Sequence, residues 1–351
     1  MKISKYLAFA LAGVLMASCD EDFDDWASPQ SYPQEEAVTI PGYTASEAEG
    51  AVIDMAQAPA NVKIVNLTGE ALPEGFTLQN IRLVATPEGV EEAKETEIDL
   101  ANDGTVDASV LDALTAETFG RRPVQRVFNC KVLVDAVKNG QAVLIDAGSI
   151  KVKVTPVAYG EYFYEIGAES NWSLPHALYG PNYDGKYQGY YWLEGEFKFK
   201  PNKDNWVGDY EYAGDNKIAD TGGANCPNPG AGFYQIDVDL QEGTYNLTKV
   251  ESITCVGNHN GWNQADAAQH MTYNSTEGCW ELTTTLTNGF KFAMNDAWTV
   301  SWGGANGDPT AYDNLTQNGG KDLNAPDGDG VYSIKLYLSY EGANRVVLVK
   351  Q

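Results

Sequence analysis

Four short blocks recur in the same order along the second half of this chain, and that repeat limits its fold more than any other feature. "IGAESNW" at 166–172 is answered by "VGNHNGW" at 256–262, and "HALY" at 176–179 by "HMTY" at 270–273. "GEFKFKPNKDNW" at 195–206 is answered by "NGFKFAMNDAW" at 288–298, and "GFYQIDVDL" at 232–240 by "GVYSIKLYL" at 330–338. An ordered set of matches at an offset of about ninety to a hundred residues marks duplicated modules. Their bounds are placed at 159–251 and 252–351. Each carries β-type runs, such as "FYEIGA" and "YYWLEGEFKFK" in the first and "WELTTTL" and "NRVVLVK" in the second, and has length for a small sandwich core of its own.

Upstream, residues 36–158 alternate apolar and polar positions in short runs. "NIRLVAT", "RVFNCKVLVDAV" and "GSIKVKVTP" are examples, separated by the turn signals "PEG", "NDG" and "KNG". This pattern predicts an immunoglobulin-like antiparallel sandwich with one short helix over "DASVLDALTAETFG", serving as a spacer. The predicted fold class is therefore all-β and multidomain: an N-terminal immunoglobulin-like β-sandwich followed by two tandem β-sandwich modules.

The extreme N-terminus, "MKISKYLAFALAGVLMASC", combines Lys2 and Lys5 with an apolar run to Met16 and small residues before Cys19. The run is shorter than the ~20 residues a bilayer requires, so residues 1–18 read as a secretory signal. A cysteine placed there predicts lipidation at Cys19. Residues 19–35 would form an acidic, Ser/Pro/Gln-rich tether to the first domain. The 49 Asp and Glu against 23 Lys and Arg give a net charge of -26, which argues against nucleic acid and favours uncharged partners. Four further cysteines are expected as buried free thiols, Cys255–Cys279 being the one disulfide considered.

Catalytic patterns are missing from the sequence. It contains no G-x-S-x-G elbow, no H-E-x-x-H and no phosphate loop, and its three histidines are His176, His259 and His270. "PDGDG" at 326–330 reads as a turn, because the bidentate glutamate of a calcium loop does not follow. No cofactor and no metal site is expected. Aromatic residues are another matter. Trp172 and Trp262 follow polar "ESN" and "HNG", and Trp206 and Trp298 lie in the loops fed by the two "FKF" strands. In those strands the phenylalanines face one side and Lys198 or Lys291 the other. Indole planes stack on sugar C–H faces while a lysine reaches a hydroxyl, so these residues are candidate glycan contacts. Tyr210 and Trp302 each stand four residues after the second tryptophan, as a third platform member or as a loop anchor. Trp192 and Trp280, in alternating runs, read as packing residues.

Taken together, the lipid-signal cysteine with its acidic tail, the spacer and the tandem "G…NxW", "G-x-F-K-F" and "D-x-W" motifs resemble the SusE/SusF glycan-binding surface lipoproteins of starch-utilisation systems. The modules are also similar to family-twenty starch-binding domains. That resemblance implies an α-glucan site at Trp262, Lys291 and Trp298, and a second at Trp172, Lys198 and Trp206. An asparagine of the family's site has no firm match; Asn216 and Asn306 are candidates. The longer segment "PHALYGPNYDGKYQGYYW" (175–192) could reshape or block the first site. The implied role is a non-catalytic, lipid-anchored outer-membrane protein that holds polysaccharide for a SusC/SusD-type transporter, facing the cell exterior. The rivals are an assembly subunit with degenerate modules, the binding of a non-starch polysaccharide and, more remotely, a hydrolase.

Overall fold

The computed structural model describes residues 36–68, 72–220 and 223–351. The signal, Cys19 and the tether lie outside the described residues. The described chain is built of strands, with one α-helix and several single 3-10 turns. Its sheets fall into three groups along the sequence, over 44–155, 162–249 and 253–350.

In the first group, a five-stranded sheet is ordered Val52–Asp54, Gln141–Thr155, Arg126–Lys138, Phe76–Pro87 and Thr96–Leu100. Alternation sets its faces: Ile81, Leu83, Val132 and Val134 are buried, while Arg82 faces outward and clamps Asp135 with two nitrogens. Two two-stranded ribbons and the helix Ala108–Phe119 pack into the same core through Val62, Val65, Val106 and Leu111. The helix is bounded as its sequence predicts. Asp107 caps the backbone N–H of Ser109 at 2.8 Å, and Gly120 ends it with φ 75°.

The two later groups match strand for strand. In the second module, one four-stranded sheet runs Ile253–Gly257, Phe290–Met294, Ser301–Gly304, Leu315–Gln317. The other runs Thr272–Asn274, Cys279–Leu286, Gly330–Tyr337, Arg345–Lys350. In the first module the equivalent strands form one eight-stranded order from Phe197–Lys200 to Glu211–Gly214. Its ends are joined by the Phe199–Tyr210 bridge, whose two backbone hydrogen bonds measure 3.2 and 2.7 Å. The recurring sequence blocks occupy equivalent positions in the two modules.

The "FKF" strands obey period two. Phe197, Phe199, Phe290 and Phe292 are fully buried, and Lys198 and Lys291 lie on the opposite face. Cys130, Cys226, Cys255 and Cys279 are all buried free thiols, so the Cys255–Cys279 disulfide does not form. "PDGDG" is a turn: Gly328 takes φ 74°, and its carbonyl accepts from the Tyr332 hydroxyl at 2.7 Å.

Each module has an apolar cluster of its own, and the two modules also pack against each other. Tyr190 and Phe233 of the first module belong to the apolar cluster of the second. Trp192 stacks on Tyr273 at 5.3 Å, and Phe233 meets Trp280 edge-on at 5.5 Å. Trp192 and Trp280 are thus packing residues, and they pack between modules.

Candidate functional site: two paired tryptophans

In each module the strand that opens it ends in a glycine followed by a single 3-10 turn: Gly167 with Ala168–Ser170, and Gly257 with Asn258–Asn260. The chain then takes two successive left-handed residues. These are Asn171 (φ 50°) and Trp172 (φ 59°) in the first module, and Gly261 (φ 64°) and Trp262 (φ 62°) in the second. A tryptophan in this region costs on the order of 1 kcal/mol, yet both modules retain it. The same bond holds both turns: the tryptophan N–H donates to the Gly167 or Gly257 carbonyl at 2.9 Å. Glycine is required at the hinge because the neighbouring strand passes so close. A Cβ on Gly257 would lie 2.4 Å from the Gly289 carbonyl oxygen, and one on Gly167 would lie 2.8 Å from the Phe197 Cβ.

This geometry sets Trp172 beside Trp206 and Trp262 beside Trp298. Ring centroids are 6.3 and 6.2 Å apart, with planes inclined at 46° and 39°. Trp206 and Trp298 are 45% and 42% exposed, high values for the largest apolar side chain. Six of the eight candidate glycan contacts are placed as two equivalent trios, since Lys198 and Lys291 occupy the same strand position next to the hinge glycine. In the first module a groove of about 350 Å³ is lined by Ala168, Trp172, Glu196, Lys198, Trp206 and Asn225. None of these residues comes from the long 175–192 segment. Its turn lies at the Tyr162 end of the opening strand, away from Gly167, so it does not enter the groove.

Tyr210 and Trp302 are corrected by the structure. They bridge the same strand position, Phe199 and Phe292 respectively, which confirms their equivalence. Trp302, however, faces inward from the strand Ser301–Gly304, is 0% exposed, and meets Tyr190 edge-on at 5.2 Å. Tyr210 packs edge-on against Phe163 at 5.3 Å. Of the two alternatives open for this pair, the packed anchor is the one observed. Asn216 and Asn306 are exposed residues in left-handed turns.

Several supporting residues leave no trace in the sequence. Lys198 Nζ contacts Glu211 and, at 3.3 Å, Asp209; burial works against its charge, but these carboxylates prevail and raise its pKa. Lys291 pairs with Asp322 at 3.2 Å. Lys200 sits 4.7 Å from the Trp206 ring centre and donates to the Lys203 carbonyl at 3.1 Å. In the second module Asn258 accepts from the Trp262 indole N–H at 2.9 Å, and Ala168 stands at that position in the first. The Trp298 loop is tied down by Asp296, whose Oδ1 lies 2.9 Å from both Ser252 Oγ and His270 Nε2. Of these, Lys200, Asn258, His270 and Asp296 stand inside recurring blocks, whereas Asp209, Glu211, Ser252 and Asp322 do not.

Comparison with known proteins gives a family match upstream of these sites. Residues 19–156 match the family described as "Outer membrane protein SusF, N-terminal domain". A curated relative, outer membrane protein SusF of Bacteroides thetaiotaomicron, is 27% identical over 175 residues. That match covers 48% of this chain and 35% of the relative, so the chain aligns with about a third of that protein's length. The crystal structure of SusF from the same organism covers 90% of this chain and 77% of its own, at 15% identity and a TM-score of 0.34, a likeness too slight to argue from. Residues 19–156 thus match the SusF N-terminal domain, and the chain is similar over part of its length to the outer membrane protein SusF.

Proposed function

We propose that the protein binds neutral polysaccharide, without cutting it, at the paired tryptophans of its two tandem modules. One observation carries this reading: the same inclined indole pair, on the same strained turn and with a lysine at the same strand position, occurs in both modules. Packing alone would favour burying these rings, as it buries Trp302. Inclined planes suit a curved chain whose successive sugar faces turn relative to one another, so the favoured ligand is an α-glucan such as starch. A flat β-linked chain would be better served by coplanar rings. The lysines, each already held by a carboxylate, are oriented donors for sugar hydroxyls.

The acidic surface fits an uncharged ligand and disfavours phosphate-bearing ones. The relationship to an outer-membrane protein and the signal read at Cys19 support a lipid-anchored location at the outer membrane, where bound glycan would be handed to a SusC/SusD-type transporter. Electrophoresis through native gels containing starch, glycogen, pullulan or a β-glucan tests the reading. Starch-type gels are expected to retard the wild type, with retardation reduced by Trp298→Ala and lost when Trp206→Ala is added. Unchanged mobility of the wild type in every gel would favour an assembly subunit, and release of reducing sugar would indicate a hydrolase.

A further inference from the structure

We propose that Glu165, Glu169 and His176 form a binding site for a divalent transition-metal cation at the edge of the cleft between the two tandem modules. Glu165 and His176 are direct partners across the antiparallel pair Tyr162–Gly167 and His176–Tyr179, and Glu169 lies on the 3-10 turn that follows. His176 Nδ1 is 2.7 Å from Glu165 Oε2 and 3.9 Å from Glu169 Oε1. One ligand atom from each residue can be chosen so that all three lie within 4.8 Å of one another.

Charge and hydrogen bonding distinguish this trio from an ordinary ion pair. The Glu165 side chain is 0% exposed and that of Glu169 7%. The second oxygen of Glu165 and both oxygens of Glu169 have no hydrogen-bond partner among the described residues. Neither carboxylate has a lysine or arginine within ion-pair distance there. Two carboxylates facing one imidazole in a buried pocket are poorly compensated, because an unpartnered buried oxygen gains nothing for the water it has lost. A divalent cation supplies the missing charge and takes up the free lone pairs. The cluster Glu277, Cys279 and Glu281 does not have this character, since Lys335 already pairs with both of its glutamates.

One imidazole and two carboxylates suit Zn²⁺, Mn²⁺ or Fe²⁺. Tetrahedral Zn²⁺ with ligands at ~2.0–2.1 Å places neighbouring ligand atoms ~3.3 Å apart. The observed 2.7 and 3.9 Å fall on either side of that spacing, each within about 0.6 Å of it. The imidazole is held in place by stacking on Tyr191 at 4.4 Å and 7°. Glu169 and His176 also line an inter-module cleft of about 580 Å³, from which water can complete the coordination. Because Glu169 lies three residues before Trp172, the cation would also brace the turn that presents that indole.

The test uses the full chain after dialysis against chelator, titrated with CoCl2 as a visible probe and with ZnCl2 in thermal melts. The wild type is expected to show ligand-field absorption saturating at one Co²⁺ per chain and a higher melting temperature with Zn²⁺. Glu169→Gln and His176→Gln should each weaken Co²⁺ binding by more than ~10-fold. Glu169→Gln keeps the size of the side chain and removes its buried charge, so it is expected to melt no lower than the chelated wild type, which separates lost binding from lost fold. Equal binding by wild type and both variants, no binding by the wild type, or a thiolate-to-cobalt band placing the ion at Cys279 would each overturn the assignment.

Discussion

Trp262 and Trp302 show how differently one residue type can be used within a single module. Trp302 fills the core, so Trp302→Ala should cost about 3–5 kcal/mol and be evident as a large fall in the urea midpoint. Trp262 occupies a left-handed position. Replacing it with glycine removes the ring and the backbone strain together, whereas alanine removes the ring alone. Trp262→Gly is therefore expected to be more stable than Trp262→Ala by about 1 kcal/mol, with glycan binding equally impaired in both. Chemical denaturation and native gels on the same pair check this; a glycine variant less stable than the alanine one would show that the turn is not strained. The tryptophan pairs were legible in the sequence because each has a twin. The burial of Trp302 was not, because the facing of a strand residue depends on register, and a lone aromatic beside a loop does not reveal it. The carboxylate partners of Lys198 and Lys291 were illegible for the same reason, being brought close only by pairing between distant segments.

At the scale of the element, the hinge glycines and the strands behind them hold the sites. Gly257→Ala would drive a Cβ against the backbone of Gly289 and the side chain of Phe290. It should destabilise the second module by about 1–3 kcal/mol and weaken its site while leaving all four candidate tryptophans intact. The opening strand of the first module carries an ionisable group in the same setting. Without a bound cation, burial pushes the Glu165 carboxyl up to about 7, against the pull of the His176 hydrogen bond and with a further push from Glu169; Tyr191 stacks over the imidazole. The folded state then holds this proton more tightly than the unfolded chain, whose glutamates titrate near ~4.3. Its contribution is fully present below that value and is lost as pH rises through about 7. Melting temperatures of chelated protein should fall between about pH 5 and pH 8, and Glu165→Gln should flatten that decline. Strand identity and the alternation of "FKF" were readable from period two alone, as was the helix over Ala108–Phe119 from its Asp107 and Gly120 boundaries. Which strand lies beside which was not, so Glu165 and His176, eleven residues apart, gave no sign of meeting.

At the scale of the molecule, the tandem modules share apolar packing, with Tyr190, Trp192 and Phe233 inserted against Tyr273, Trp280 and Trp302. Calorimetry is expected to show the two modules melting together, and Phe233→Ala to split or broaden that transition. "YYWLEGEF" reads in sequence as an ordinary strand of one module, since alternation marks a face as apolar without saying what covers it. On the proposed reading, two sites on one joined unit would engage one long glycan, raising effective concentration without any new contact. Titration calorimetry with a linear α-glucan oligosaccharide too short to bridge the sites tests the central claim most directly. Two binding events per wild-type chain, reduced to one by Trp262→Ala with Trp298→Ala and to none when Trp172→Ala and Trp206→Ala are added, are the expected result. Binding heat that persists unchanged in the fourfold variant would contradict it.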